Sequence, residues 1–198
     1  MDIEGLSQFI CKKMEEQLPP FVIYHGVDHT YDVHSSVLRL AHLEQLDEYN
    51  TNLIRAAAWL HDTGIIVKFE DHEIISANFA EEYLPDYGFT PSEIVQVKHM
   101  ILATQLPQIA NNLNEKILCD ADLDYLGRND FFIIGQKLRL EWLLIGNNIS
   151  LFDWYKLQME FLKNHHYFTK SAQLLRNERK NQNMAEIQNL FNCARLNK

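Results

Sequence analysis

Two side chains able to bind metal, His61 and Asp62, stand together at the end of the apolar run Leu53-Ile54-Arg55-Ala56-Ala57-Ala58-Trp59-Leu60 and are followed at once by Thr63-Gly64. An imidazole and a carboxylate buried side by side are costly to desolvate unless something compensates both, and a divalent cation does so. Further donors must then come from elsewhere in the chain, and His29 and Asp122 are the candidates. His29 starts the helical stripe Val33, Val37, Leu40 and Ala41. Its place in a first helical turn, near the positive end of the helix dipole, favours the neutral ring that ligates metals. The alternative at this position is a ring at the core edge, capped by a backbone carbonyl.

Within Leu118-Cys119-Asp120-Ala121-Asp122-Leu123-Asp124-Tyr125-Leu126, one helical stripe joins Leu118, Asp122, Tyr125 and Leu126. Asp122 is therefore expected to point inward, and Asp120 to share an outer face with Lys116 and Asp124. His29, His61, Asp62 and Asp122 supply two imidazoles and two carboxylates. That mixed set suits Mn, Fe, Co, Ni or Zn, with Mg also possible, better than Ca, and it lacks the thiolates of structural zinc sites. Four protein ligands leave room for water and a phosphate oxygen, which is the layout of a hydrolytic centre. In that reading Asp62 both holds the cation and positions the attacking water.

His25 lies four residues before His29, but Gly26 argues against one continuous helix through both, so His25 is expected in a loop, supporting the site or facing substrate. The pair His165-His166 has no acidic companion nearby, and a structural or surface role is expected for it.

The elements that must position these residues read as all-α. Apolar residues recur every three or four positions, while alternating runs are scarce. Helices are expected over Ile3 to Leu18, Asp28 to Glu48, Thr51 to His61, Asp71 to Leu84, from Thr90-Pro91 to about Pro107, Glu115 to Leu126, Asp130 to Gly146, Leu151 to Leu162 and Thr169 to Phe191. Ile65 to Glu70 reads as a connecting loop. The 198 residues suit one well-buried domain, with a motif-bearing core at 21–127 and a C-terminal helical extension over 128–198. A hydrophobic fraction of 46% excludes a disordered chain, and seven Gly with five Pro are too few for a loop-rich β-sandwich.

A formal charge of −9 argues against nucleic-acid polymers and anionic membranes as partners and favours small-molecule substrates. Cys11, Cys119 and Cys193 are odd in number and widely separated, which fits neither a metal knuckle nor a disulfide framework and points to a reducing cytoplasm. The start, Met1-Asp2-Ile3-Glu4-Gly5, is acidic where a secretion signal would be basic, and no run approaches a membrane span. The aromatic residues Phe131-Phe132, Trp142 and Phe152-Asp153-Trp154-Tyr155 are assigned to the core or to the face of a homodimer.

The segment Tyr24-His25-Gly26-Val27-Asp28-His29-Thr30-Tyr31-Asp32-Val33 resembles the opening YHxxxHxxxV motif of HD-domain phosphohydrolases. His61-Asp62-Thr63-Gly64 is similar to the doublet that names them, and Asp120-Ala121-Asp122-Leu123 to their closing segment. The resemblance covers about Phe21 to Gly127 and implies an all-α fold, phosphate-ester hydrolysis and metal ligation by His29, His61, Asp62 and Asp122. Some members bind a second metal through two further His residues. His72 is similar in placement to the first, whereas the second aligns with Thr104, and His99 aligns with a His that does not ligate. The resemblance thus implies one metal per chain; if His99 points inward instead, the centre is dinuclear.

With one metal, His72 becomes a candidate to hydrogen-bond the substrate phosphate or deliver a proton, the alternative being a surface His at a helix start. Lys68, after the doublet, and Arg128, beyond the Asp122 helix, are candidates to neutralise phosphate charge. The expected activity is hydrolysis of a nucleotide or small phosphorylated metabolite. The competing reading is a catalytically silent metal-binding module of the signalling type, for which the departure at Thr104 speaks.

Overall fold

A computed structural model describes the backbone of residues 1–196 and the side chains through Asn192, so Cys193 lies outside the described side chains. The described residues form helices and no strands: α1 (Ile3–Gln17), α2 (Val27–Leu43), α3 (Glu48–Leu60), α4 (His72–Tyr83), α5 (Pro91–Ala103), α6 (Leu113–Asp122), α7 (Phe131–Leu144), α8 (Leu151–Asn164) and α9 (Lys170–Leu196), with short 3-10 turns at Thr63–Ile66, Leu84–Tyr87 and Asp124–Gly127. The all-α expectation holds. Among the described residues no helix is long and apolar enough to cross a membrane.

The second element ends earlier than its periodicity suggests. Gln45 adopts φ 57°, and Asp47 accepts a hydrogen bond from the Asn50 amide at 2.7 Å, so α2 stops at Leu43 and α3 begins afresh at Glu48. The sixth helix likewise ends at Asp122, and Asp124–Gly127 continues as a 3-10 turn where the sequence predicts helix to Leu126.

Helix α3 is the axis of the structure. Leu53, Ile54, Ala56, Ala57, Ala58, Trp59 and Leu60 are all buried, because α1, α2, α5 and α6 enclose it. A helix apolar on nearly every side has no solvent face to keep, and three successive alanines let its neighbours approach closely. The last turn of this enclosed helix delivers His61 and Asp62 into the protein interior. A second apolar cluster, built on Leu126, Phe131, Met159, Leu162 and Ile187, joins α7, α8 and α9 to the turn that follows α6.

Candidate metal centre and its cavity

Four elements converge on the doublet. His61 is fixed by its own helix: its Nδ1 lies 2.8 Å from the Ala58 carbonyl, which takes the ring proton and leaves Nε2 facing inward. That Nε2 stands 3.4 Å from His29 Nε2, 3.2 Å from Asp62 Oδ2 and 3.7 Å from Asp122 Oδ1. His29 Nε2, from the first turn of α2, is 3.4 Å from Asp62 Oδ2 and 3.3 Å from Asp122 Oδ1. The donor atoms of His29, His61 and Asp122 all lie within 4.8 Å of one another, and Asp62 joins the group through both imidazoles.

These separations suit a cation. Neighbouring donors about 2.1 Å from one ion are spaced roughly 3.0–3.4 Å apart. Asp62 Oδ2 is buried with no hydrogen-bond partner, although two imidazole nitrogens face it, and such an orphan is costly unless a positive charge answers it. Electrostatics says the same. Burial opposes charge on His61, yet Asp62 and Asp122 beside it raise its pKa well above the ordinary value. Burial would raise Asp122, but His29 and His61 bring it down to about 2. A divalent cation among these donors would satisfy both carboxylates at once. The donor set therefore fits a divalent metal.

His72 reaches the group because Gly64 allows it. A Cβ on Gly64 would collide with the His72 carbonyl, while the Gly64 amide donates to Ser76 Oγ at 2.8 Å, so α4 lies directly on the turn after the doublet. His72 Nδ1 is held 2.9 Å from the Phe69 carbonyl, and its Nε2 comes within 3.2 Å of Asp62 Oδ1. Burial would lower this histidine, but Asp62 and then Glu73 raise it to about 9.

His25 lies in the loop before α2, as its Gly26 neighbour predicts, and its Nδ1 is 2.5 Å from Glu141 Oε1. Thr104 is buried at the end of α5, donates its hydroxyl to the Ile101 carbonyl at 2.7 Å, and lines the cavity beside Asp62 and His72. His99 instead lines a separate hollow with Asn50, Gln96 and Asn114.

The structure does not bring Lys68 or Arg128 to this group. Lys68 is half-exposed and sits 3.3 Å from Asp71. Arg128 donates to Asp32 at 2.6 and 2.7 Å and to Asp130 at 2.9 and 2.5 Å, and neither basic residue lines the cavity beside the doublet. His165 and His166 do not line that cavity: they border a neighbouring hollow with Gln108, Lys180 packs on His165, and His166 is exposed.

Asp120 corrects the single-stripe expectation. It is fully buried, and its carboxylate accepts from the Phe168 amide at 2.7 Å, the Thr169 amide at 2.8 Å and the Thr169 hydroxyl at 2.7 Å, tying α6 to the start of α9. Asp124 is buried as well, gripped by Arg176 at 2.7 and 2.8 Å and by Arg39 at 2.9 Å. Helix α6 and the turn after it are covered on two sides, so Asp120, Asp122 and Asp124 find three different inward environments.

Two contributors escaped the sequence reading. Gln108 donates to Asp122 Oδ2 at 3.1 Å and orients that carboxylate, and the irregular segment around Pro107 gave no periodic signal for it. Glu141, fully buried on α7, holds the His25 loop. It shares a helical stripe with Phe131, Ile134 and Leu138, so the burial argument that singled out Asp122 would have found it.

The sequence profile of the HD domain matches residues 26–124, half of the chain. An uncharacterized protein of Clostridium beijerinckii is 33% identical over 81 residues, covering 39% of this chain, and the match spans about half that relative's length. A solved structure from an uncultured Thermotogales bacterium, described as a predicted HD superfamily hydrolase, superposes with a TM-score of 0.62 at 22% identity over 93% of this chain and 90% of the other. A Lactobacillus plantarum protein does so with a TM-score of 0.62 at 17% identity over 100% and 98%. At those identities the two structures share the fold.

Proposed function

The chain belongs to the HD domain family, and we propose that it is a metal-dependent phosphohydrolase acting on a small phosphate ester, with one divalent transition metal held by His29, His61, Asp62 and Asp122. The observation that carries this reading is the orphaned Asp62 Oδ2 between two imidazole nitrogens, at the inner end of a cavity large enough for a small molecule. A divalent cation bound there supplies a water of lowered pKa and polarises a phosphoryl oxygen.

The remaining steps belong to the protein. Asp62 uses Oδ2 toward the imidazoles and keeps Oδ1 beside His72, so one carboxylate links the cation position to a proton-handling group. His72, with Nδ1 committed to the Phe69 carbonyl, exchanges protons at Nε2, the atom that serves the leaving oxygen. His25, steadied by Glu141 and exposed to the same cavity, donates to a phosphate oxygen. Lys68 and Arg128, with their charges already committed to neighbouring carboxylates, take no part. We take the C-terminal helices to belong to the same working unit, since α7 supplies Glu141.

The test is turnover of phosphomonoesters and phosphodiesters by protein loaded in turn with Mn, Fe, Co, Ni, Zn and Mg, beside chelator-treated protein and Asp62→Asn. Hydrolysis lost in both controls supports the proposal. Stoichiometric metal without hydrolysis of any ester would favour the silent metal-binding module.

A further inference from the structure

The cavity that begins at Asp62, Asp122, His25 and His72 has a volume of about 420 Å³ and continues along α7 and α8. Its far wall is mostly apolar: Phe131, Leu138, Trp142, Trp154, Leu157 and Phe161 line it, with Gln158 and Asn164 as polar exceptions, and Phe131 and Trp154 are fully buried. No Lys or Arg is among its lining residues, whereas Glu73 and Glu160 add carboxylates to those of Asp62 and Asp122. One divalent cation offsets two of those four charges.

Such a cavity discriminates between phosphate esters. A di- or triphosphate brings several negative charges, and here it would meet Glu73 and Glu160, against which the lining sets only the imidazoles of His25 and His72 and no Lys or Arg. A sugar phosphate brings several hydroxyls, and along this wall only Gln158, Asn164 and the unpartnered Trp154 Nε1 could answer them, too few for all of those that would lose water. A single phosphate on a large apolar group suits both ends, its anion at the cation position and its organic part against Trp142, Leu157 and Phe161.

We propose that the substrate is a phosphate ester carrying one phosphate and a bulky, largely apolar organic group, bound with that group against the α7–α8 wall. The inference rests on the phosphohydrolase reading for the phosphate end, while the apolar wall supports the choice of organic group.

Binding tests it separately from turnover. Metal-loaded full-length protein is titrated calorimetrically with methylphosphonate, 1-naphthylmethylphosphonate and α,β-methylene-ADP, none of which depends on hydrolysis. The naphthyl compound should bind at least about 10-fold more tightly than methylphosphonate, and the diphosphate analogue no more tightly than methylphosphonate. Leu106 and Leu157 line the cavity but are 57% and 40% exposed, so Leu106→Glu and Leu157→Glu should fold normally. Each should shrink the naphthyl preference several-fold. Equal affinities for the two phosphonates, no detectable naphthyl binding, tighter binding of the diphosphate analogue, or a preference untouched by both variants would each overturn the proposal. A retained naphthyl preference in protein that hydrolyses no ester would sink the phosphohydrolase reading alone.

Discussion

Glu141 on α7 holds His25 from 116 positions away in the chain: Oε1 lies 2.5 Å from the ring Nδ1, and Oε2 accepts from the backbone amides of Ile23, Tyr24 and His25 at 2.8, 2.8 and 3.1 Å. Burial would raise the pKa of this carboxyl, but His25 and those amides bring it below the usual carboxylate range. One buried carboxylate thereby fixes both the loop that leads into α2 and the ring that faces the cavity. Glu141→Leu would strand three amide donors and should cost about 3 kcal/mol or more of unfolding free energy, while Glu141→Gln, which keeps one acceptor, should cost about 1–2 kcal/mol. His25→Ala leaves the three backbone bonds in place and should cost under about 1 kcal/mol while weakening phosphonate binding. Urea denaturation beside calorimetric binding separates the three variants, and equal destabilisation by Glu141→Leu and His25→Ala would contradict this arrangement.

Asp120 and Asp122 are two residues apart and do different work. Asp122→Asn should lower metal content and activity with the fold retained, because its carboxylate faces His29 and His61. Asp120→Ala should leave metal per folded chain unchanged and cost about 1–3 kcal/mol of stability, since it strands the Phe168 and Thr169 amides. Elemental analysis and denaturant melts on the same preparations check both, and metal loss from folded Asp120→Ala would refute the division.

The same pair marks how far the sequence could be read. The doublet, His29 and Asp122 were legible because each is a polar side chain on an apolar stripe, where burial needs a reason. The all-α fold was legible because three- and four-residue spacing runs through most of the chain. Asp120 was misplaced because a stripe argument gives a helix one buried face, and α6 has a second one, against Phe168 and Thr169, whose position 48 residues onward no local pattern records. Arg128 read as a free cation because Asp32, its partner 96 residues away, becomes a neighbour only once α2 and the turn after α6 are packed together.

The proposal of one metal per chain turns on Thr104 and His72. The Thr104 hydroxyl is committed to the Ile101 carbonyl and offers no imidazole opposite His72. Metal titration should therefore plateau near one per chain, and His72→Ala should lower turnover by about 10²–10⁴-fold without losing that metal. Thr104→His places a second ring in the same cavity wall and should raise the plateau toward two. A wild-type plateau at two, with one metal lost in His72→Ala, would reverse this account.

His34 should make stability depend on pH. Its ring packs tilted against Trp59 with centroids 4.7 Å apart, and its Nε2 accepts from Arg55 Nε at 3.1 Å. Burial, and then the Arg55 charge, lower its pKa to about 4, with Glu4, paired to Arg55 at 2.7 Å, opposing weakly. Its pKa in the unfolded chain is about 6.5, so between those values the unfolded state binds the extra proton and the folded state does not. The neutral ring's contribution is complete above about pH 6.5 and is lost as pH falls toward 4. Because the ring is only half-buried, solvent screening reduces the effect to the order of 1 kcal/mol. His34→Gln keeps an acceptor for Arg55 but cannot titrate. The difference in unfolding free energy between wild type and variant, measured in chelator to remove metal linkage, should move against the wild type from pH 6.5 to 4. A difference that stays flat across that window would mean that His34 is protonated in the folded protein.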